Sequence, residues 1–236
     1  MKIGVFVYDF EHWKSQQGIQ NLILSKNKPE VVFAAPRVEL KFYRSKIRTT
    51  PKDLFLIHPK KVAEYYGIDY CVVKHNSEET VDLIKKYKLD LGIVFGARIL
   101  KTYVIKAFNK GVLNMHPGIL PDNRGLDTIK WAIFNDLPQG VTTHLIDGEI
   151  DRGLLIEKGE INIYEDDTLL DLQIRIQNLE QKMMLSSIDL IKKNNINKFE
   201  KIKKGQYNTS MPKNIEEKLL SKFVNYKKEF SNATNS

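Results

Sequence analysis

Leu91-Gly92-Ile93-Val94-Phe95 and Gly111-Val112-Leu113-Asn114-Met115 are two short apolar runs separated by a helical pattern over Leu100–Asn109. Short runs rich in Val, Ile and Leu predict strands. Strand, helix and strand in this order predict parallel pairing through a right-handed crossover. This stretch therefore indicates an α/β sheet.

The same alternation extends toward the N-terminus. Strands are predicted at Ile3–Val7, Val31–Ala35 and Tyr70–Val73, and helices at Trp13–Asn27, Pro59–Tyr66 and Ser77–Tyr87. The expected fold class is α/β, with an open, mainly parallel, Rossmann-like sheet flanked by helices. Such sheets bind ligands at the carboxyl ends of their strands, near the point where the strand order reverses.

The pattern changes after the fifth strand. Val141–Ile146 and Leu154–Ile163 predict a β-hairpin, and a long amphipathic helix follows with Thr168 and Asp171 as a capping pair. The apolar stripe of this helix either packs on the sheet or forms a dimer seam, so a homodimer stays open. Gly205–Pro212 interrupts the pattern before a last amphipathic helix at Lys213–Phe230. We expect a main domain at residues 1–190 and a basic, partly helical extension at 191–236.

Composition limits the class of protein. The chain has 236 residues, 42% of them hydrophobic, with one cysteine, Cys71. A single cysteine excludes a disulfide framework and a cysteine-rich zinc site. The N-terminus lacks the long apolar stretch of a signal peptide, and no window approaches the roughly 18–20 apolar residues of a membrane span. We therefore expect a cytoplasmic protein with no membrane partner.

Most of the positive charge lies near the C-terminus. Between Lys192 and Glu229 there are eleven lysines and four glutamates, which gives +7 of the formal net charge of +8. A solvated lysine surface and a surface that contacts phosphates both fit this composition. The solvated surface is favoured, so a nucleic-acid partner is not expected.

The chemically suggestive residues begin at Leu113-Asn114-Met115-His116-Pro117. Because side chains alternate along a strand, Asn114 and His116 project from the same face, and Pro117 ends the strand beside them. An amide and an imidazole side by side can donate two hydrogen bonds to an oxygen that becomes negative during a reaction. The alternative is that both side chains only hold the following loop in place.

Two later segments add polar groups. A proline-containing loop runs from Pro117 to Gly125, and the turn-rich segment from Gly140 to Gly153 contains a second histidine and three carboxylates: His144, Asp147, Glu149 and Asp151. A carboxylate near an imidazole can keep it protonated or accept a proton from an attacking amine. Spacing alone does not decide which carboxylate does so. The five histidines have no metal-ligand spacing, so no metal is expected.

These residues carry a resemblance to the folate-dependent formyltransferases, clearest between about Asp90 and Ile163. The matching motifs are Ala97-Arg98-Ile99-Leu100, Asn114-x-His116-Pro117, Ile119-Leu120-Pro121 with Arg124-Gly125, and Gly140-Val141-Thr142 through Asp151-x-Gly153. This chain has Gly118 where the family usually has serine.

The resemblance implies a role for each motif. Asn114, His116 and Asp151 match the catalytic residues, and the implied formyl donor is 10-formyltetrahydrofolate. Two residues would donate hydrogen bonds to the oxyanion, Asn114 and His116. Asp151 would take the proton of the amine and orient His116, with His144 supporting Asp151. The implied cofactor-binding residues are Ala97, Arg98, Ile99, Leu100, Leu145 and Asp147.

The acceptor is inferred from departures within the family. Tyr8–Trp13 is acidic and aromatic, unlike the glycine-rich phosphate loop of glycinamide ribonucleotide transformylase, and too few residues follow Ile163 for the tRNA-binding barrel of methionyl-tRNA formyltransferase. Gly205–Pro212 resembles the tail of the sugar N-formyltransferases. The expected acceptor is therefore a nucleotide-linked amino-dideoxysugar, such as a dTDP-sugar used for surface polysaccharide. Trp13, Arg124 and Tyr207 are candidates to bind it. Two alternatives remain, a tRNA or other amine acceptor and a non-enzymatic binder of folate or nucleotide-sugar.

Overall fold

The computed structural model describes residues 1–38, 45, 47, 49–149 and 151–233. Within them the strands are β1 Ile3–Tyr8, β2 Val31–Ala35, β3 Asp69–Val72, β4 Leu91–Val94, β5 Val112–His116, β6 Arg124–Gly125, β7 Gly140–Ile146, β8 Gly153–Glu160 and β9 Tyr207–Asn208. The helices are α1 Trp13–Leu24, α2 Pro59–Tyr65, α3 Glu78–Tyr87, α4 Thr102–Ile105, α5 Thr128–Phe134, α6 Leu169–Lys193, α7 Lys213–Glu216 and α8 Leu219–Ala233.

The central sheet confirms the predicted fold class. Its strand order is β3-β2-β1-β4-β5-β7-β8. The first five strands in this order pair in parallel, and β7 and β8 are added antiparallel beside β5. The buried patterns of β1, β2 and β4 explain their continuous apolar sequences, since a parallel strand covered by helices on both faces needs apolar side chains on both. The strand order reverses between β1 and β4, where the carboxyl ends leave a crevice.

Helix α6 extends the predicted long helix and packs against the sheet. Its N-terminus has the predicted capping box, in which Thr168 and Asp171 bond each other's backbone amides. Its buried face, which includes Leu172, Ile176 and Ile188, contacts β5, β7 and β8 and also α1. The apolar stripe therefore packs on the sheet of the same chain, which is the first of the two possibilities expected from the sequence.

Two predicted helices differ from the structure. The helix expected at Leu100–Asn109 is reduced to α4, because the amides of Ala107 and Phe108 bond carbonyls only three residues back, which tightens the chain into turns. The expected last helix divides into α7 and α8. The predicted division at 190 falls inside α6. Helix α8 packs on α5, and its Tyr226 is buried, with its hydroxyl donating to the carbonyl of Leu137. Ile150 and residues 234–236 lie outside the described part of the chain.

The last small element joins distant parts of the sequence. Strand β9 pairs in parallel with β6, with Arg124 opposite Tyr207 and Gly125 opposite Asn208. This pair lies beside the carboxyl end of β5, because β6 belongs to the loop that follows it. Searched over the described residues, the helices include none of the length and apolarity required to cross a membrane.

Candidate active site

The amide of Asn114 is oriented by a neighbouring histidine. Asn114 on β5 lies opposite His144 on β7, and its Nδ2 is 3.2 Å from His144 Nε2. Burial and, after it, the charge of His116 lower the pKa of His144 to about 4, so His144 is neutral near pH 7. Its Nδ1 lies 2.9 Å from the carbonyl of Arg152, which requires the proton on Nδ1 and a lone pair on Nε2. Nε2 can then only accept, which directs the NH₂ of Asn114 toward it.

His144 therefore supports Asn114 through a hydrogen bond. Both of its ring nitrogens have partners other than Asp151, so the expected support of Asp151 does not run through a hydrogen bond and stays a prediction. The reason lies in the antiparallel register of β5 and β7, which places residues 114 and 144 side by side.

His116 and Asp151 form a second pair. His116 Nδ1 is 3.2 Å from Asp151 Oδ1, and the other carboxylate oxygen of Asp151 accepts a 2.7 Å hydrogen bond from the amide of Gly125. His116 Nε2 lies 2.7 Å from the carbonyl oxygen of Asn123. Both ring nitrogens thus face acceptors, and the ring can donate to both only as an imidazolium. His116 can donate to a substrate oxygen only if it gives up its contact with Asp151 or with the carbonyl of Asn123.

Asp151 is held as a carboxylate by its surroundings. Burial alone raises its pKa, but the hydrogen bond and charge of His116 together with the amide of Gly125 lower the pKa below the ordinary value. The backbone of Asp151 has φ +48, a left-handed conformation that Asp tolerates better than most residues. This turn directs the side chain to the end of β5.

The two other carboxylates of this segment have different environments. Asp147 Oδ1 accepts the amide of Glu149 at 2.8 Å, which closes the turn at Gly148. Glu149 is exposed and pairs with Arg152. Of the three acidic residues, Asp151 is the one in contact with His116.

A cavity of about 320 Å³ opens beside Asn114 and Asp151. Its wall includes four residues of the predicted cofactor segment (Ala97, Arg98, Ile99 and Leu100), together with Val94, Gly125, Leu126, Ile146, Asp147, Glu149 and Tyr207. We call this the β5 cavity. Five of the six predicted cofactor-binding residues surround it. The sixth, Leu145, is buried in the core, with its backbone paired to β5 and β8.

A second cavity, of about 580 Å³, lies across Pro117. Its wall comprises Glu11, His12, Trp13, Lys14, Thr50, Pro51, Asp53, Leu54, Leu56, Pro117, Gln173, Gln177 and Glu180. We call this the α1 cavity. Lys14 Nζ lies 2.7 Å from the buried Glu180 and 3.1 Å from the carbonyl of Met115, so this ion pair contacts β5 directly.

The three predicted acceptor-binding residues are not brought together. Trp13 lines the α1 cavity and Tyr207 the β5 cavity. Arg124 is buried and donates to the carbonyl of Gly205, so it holds the tail segment. Lys14 and Glu180 were missed because 166 residues separate them and neither lies in a motif.

Gly118 has a local explanation. A Cβ at this position would lie 2.8 Å from the carbonyl oxygen of Asn123 and 3.1 Å from His116 Nε2. Glycine thus allows the Asn123 carbonyl to approach the imidazole. Searched over the described residues, groups of three or more His, Cys, Asp or Glu side chains suited to a metal ion are absent.

The chain is similar to proteins of one family. Residues 1–188 match the family model described as formyl transferase. A methionyl-tRNA formyltransferase from Bacteroides fragilis is 31% identical over 119 residues, 50% of this chain and 37% of that protein, so the match spans little more than a third of that relative.

Two solved structures share the fold. A 4-N formyltransferase from Francisella tularensis has a TM-score of 0.61 at 25% identity, over 89% of this chain and 76% of that one. The formyltransferase PseJ from Anoxybacillus kamchatkensis, solved with UDP-4,6-dideoxy-4-formamido-L-AltNAc and tetrahydrofolate, has a TM-score of 0.51 at 24% identity, over 69% and 84% respectively.

Proposed function

The chain belongs to the formyl transferase family, and we propose that it transfers a formyl group from 10-formyltetrahydrofolate to the amine of a nucleotide-linked amino sugar. One observation carries the proposal. Asn114 and Asp151 stand on the wall of the same cavity as Ala97–Leu100, so the amide, the carboxylate and the predicted cofactor segment meet in one place.

The β5 cavity fits the donor. Val94, Leu100, Leu126 and Ile146 give it apolar walls that can enclose a flat ring, and Asp147 lies at its polar edge. A ring that carries amino groups needs such hydrogen-bond acceptors. When bound, the donor supplies a formyl group activated for attack by an amine.

The roles of the residues follow from their contacts. Asn114 uses one hydrogen of its NH₂ toward His144 and can donate the other to a carbonyl oxygen in the cavity. Asp151, with its lowered pKa, is ionised near neutral pH and can accept the proton that an amine loses. His116 holds Asp151 in place and balances its charge.

The α1 cavity supports an amino sugar as the acceptor. Three carboxylates face it, those of Glu11, Asp53 and Glu180, with two glutamine amides and one indole. These groups suit the hydroxyls, the amine and the apolar face of an amino-sugar ring. The cation of Lys14 is already paired with Glu180. The names of the Francisella and Anoxybacillus neighbours accord with this acceptor class.

A tRNA acceptor is the second candidate, favoured by the Bacteroides relative. Against it, several lysines of the basic extension have partners within the chain. Lys222 pairs with Asp136, and Lys227 donates to the carbonyl of Asp167. Phosphate contacts would make binding fall steeply between about 50 and 200 mM salt.

The deciding experiment is a formylation assay with 10-formyltetrahydrofolate and a panel of acceptors. The panel contains dTDP- and UDP-linked amino-dideoxysugars, methionyl-tRNA and glycinamide ribonucleotide. We expect turnover with an amino-sugar nucleotide and little effect of salt. Turnover restricted to methionyl-tRNA, with a steep salt dependence, would replace the sugar assignment. Absence of turnover with every amine would overturn the proposed activity.

A further inference from the structure

Strand β9 lies beyond residues 1–188 that match the family, yet it touches the loop that holds the catalytic pair. Asn208 is buried, and its carbonyl accepts the amide of Leu126 at 2.9 Å. Its side-chain Nδ2 lies 3.4 Å from Asn123 Oδ1. Gly125, with φ +98, packs so closely that a Cβ there would lie 2.0 Å from the Asn208 carbonyl oxygen.

The residues held by β9 are those that bond His116 and Asp151. The carbonyl of Asn123 faces His116 Nε2, and the amide of Gly125 donates to Asp151. A shift of residues 123–125 by a few tenths of an ångström therefore changes both contacts at once. The same segment is fixed at a second point, because Gly205 lies against Pro121 with no space for a Cβ, which would be 1.9 Å from the Pro121 carbonyl oxygen.

Strand β9 also forms a wall of the β5 cavity. Tyr207 lines it next to Gly125 and Leu126, and 45% of its surface is exposed, which leaves the ring accessible to a ligand. The tail segment thus contacts the catalytic pair on one side and the donor cavity on the other.

From these contacts we propose that residues 205–208 are a working part of the active site. Asn208 is a positioning residue that fixes the loop holding His116 and Asp151. Tyr207 is a specificity residue that packs on the aromatic portion of the formyl donor. The role of Tyr207 rests on the proposed function, whereas that of Asn208 depends only on the geometry of the loop.

The first test compares Asn208→Ala and Gly205→Ala with Thr209→Ala, a neighbouring exposed position. Both test variants loosen β9, so we expect kcat to fall roughly three- to tenfold, the effect of losing one ordinary hydrogen bond. Loosening weakens the Gly125 and His116 contacts that lower the pKa of Asp151, so the acid limb of kcat should move to higher pH. Thr209→Ala should match the wild type. Wild-type kcat and pH profile in both folded test variants would overturn the positioning role.

A second measurement needs no activity. Amide hydrogen exchange on the wild-type protein, with and without tetrahydrofolate, should show slower exchange at residues 205–208 as well as at 97–100. Slowing at 97–100 alone would refute the contact of Tyr207 with the donor. If tetrahydrofolate does not bind at all, the proposed function fails, and the shift of the His116 ring resonances in Asn208→Ala still tests the positioning role.

Discussion

Three carboxylates lie within five residues of one another, and their contacts predict different consequences for catalysis. Asp151→Asn removes the charge that faces His116 and the group that accepts a proton, so we expect kcat to fall by about 10²-fold or more. Donor binding, followed by the quenching of tryptophan fluorescence, should stay close to that of the wild type because the amide has the same size.

Asp147→Asn and Glu149→Gln are the matched controls. An amide oxygen at 147 can still accept the amide of residue 149, and the exposed side chain at 149 pairs with Arg152 and not with His116. Both should keep most of the wild-type kcat. If Asp147→Asn lost activity and Asp151→Asn kept it, the proton acceptor would be Asp147 and not Asp151.

We expect substitution of His144 to lower kcat through its hydrogen bond with Asn114 and not through a contact with substrate. His144→Phe keeps the ring but removes the acceptor that orients Asn114, so kcat should fall about tenfold or more, with the KM of the acceptor nearly unchanged. Steady-state kinetics measures this separation. Thr143→Val, whose hydroxyl bonds Ser187 on the opposite face of β7, should lower stability and leave kcat unaffected. Equal losses of kcat in both variants would indicate a general loosening of β7.

At the residue scale, local motifs identified the groups that the structure brings together. Asn114 and His116 were predicted to share one face because strand alternation fixes it, and both lie at the end of β5. The partners of these groups could not be predicted in the same way. His144 reaches Asn114 through strand register, and the Asn123 carbonyl reaches His116 through loop conformation, neither of which has a pattern in the sequence.

At the element scale, the packing of α1 on the sheet predicts an unusual sign for a helix substitution. Replacement of a glycine inside a helix by alanine normally raises the free energy of unfolding by about 1 kcal/mol. At Gly18, however, a Cβ would lie 2.3 Å from the ring of Phe95, which is fully buried at the end of β4. We expect Gly18→Ala to lower the free energy of unfolding by about 1–3 kcal/mol, as overpacking does.

Urea denaturation of Gly18→Ala beside Gln20→Ala checks this sign. Gln20 lies on the same helix and is only partly buried, so its substitution should change stability by less than about 0.5 kcal/mol. A stabilised Gly18→Ala would show that α1 can move away from Phe95 without cost.

The elements differ in how far the sequence predicts them. Long buried strands such as β1 and β2 were placed to within a residue, because their apolar runs reflect burial on both faces. Strands β6 and β9 have two residues each and pair across about 80 positions, so no periodicity indicates them. The tail could be recognised by resemblance, but its place against the catalytic loop depends on tertiary packing.

At the scale of the whole molecule, basic and acidic side chains are concentrated on different surfaces. The basic extension near the C-terminus is exposed or paired within the chain, whereas the walls of the α1 cavity carry an excess of carboxylates. A net charge of +8 therefore describes the outer surface and not the proposed acceptor site. The proposed acceptor class rests on the residues of the cavity wall, which no count over the sequence shows.

The buried histidines predict how the stability of the whole molecule depends on pH. Burial lowers the pKa of His144 and of His12 to about 4, from an ordinary value near 6.5. Between these values the unfolded chain binds protons that the folded chain does not, so acid favours unfolding. The stabilisation is complete above about pH 6.5 and is lost as the pH falls toward 4. For His144 alone, the loss at pH 5 is on the order of 2 kcal/mol. Burial raises the pKa of Glu180, so the folded chain takes up that proton first and offsets part of the loss.

Urea unfolding at pH 7, 6 and 5 measures the resulting slope. His144→Phe removes the titrating group, so this variant should be less stable than the wild type at pH 7 but should lose less stability between pH 7 and 5. Thr143→Val is the control, because it changes the same strand without removing a titrating group; its slope should match the wild type. If His144 is neutral in the folded protein, the difference in stability between wild type and His144→Phe shrinks as the pH falls. A difference that stays constant from pH 7 to 5 would mean that folding leaves the pKa of His144 unchanged. A difference that grows as the pH falls would mean that the folded protein holds the proton on His144, and the orientation assigned to the Asn114 amide would then be reversed.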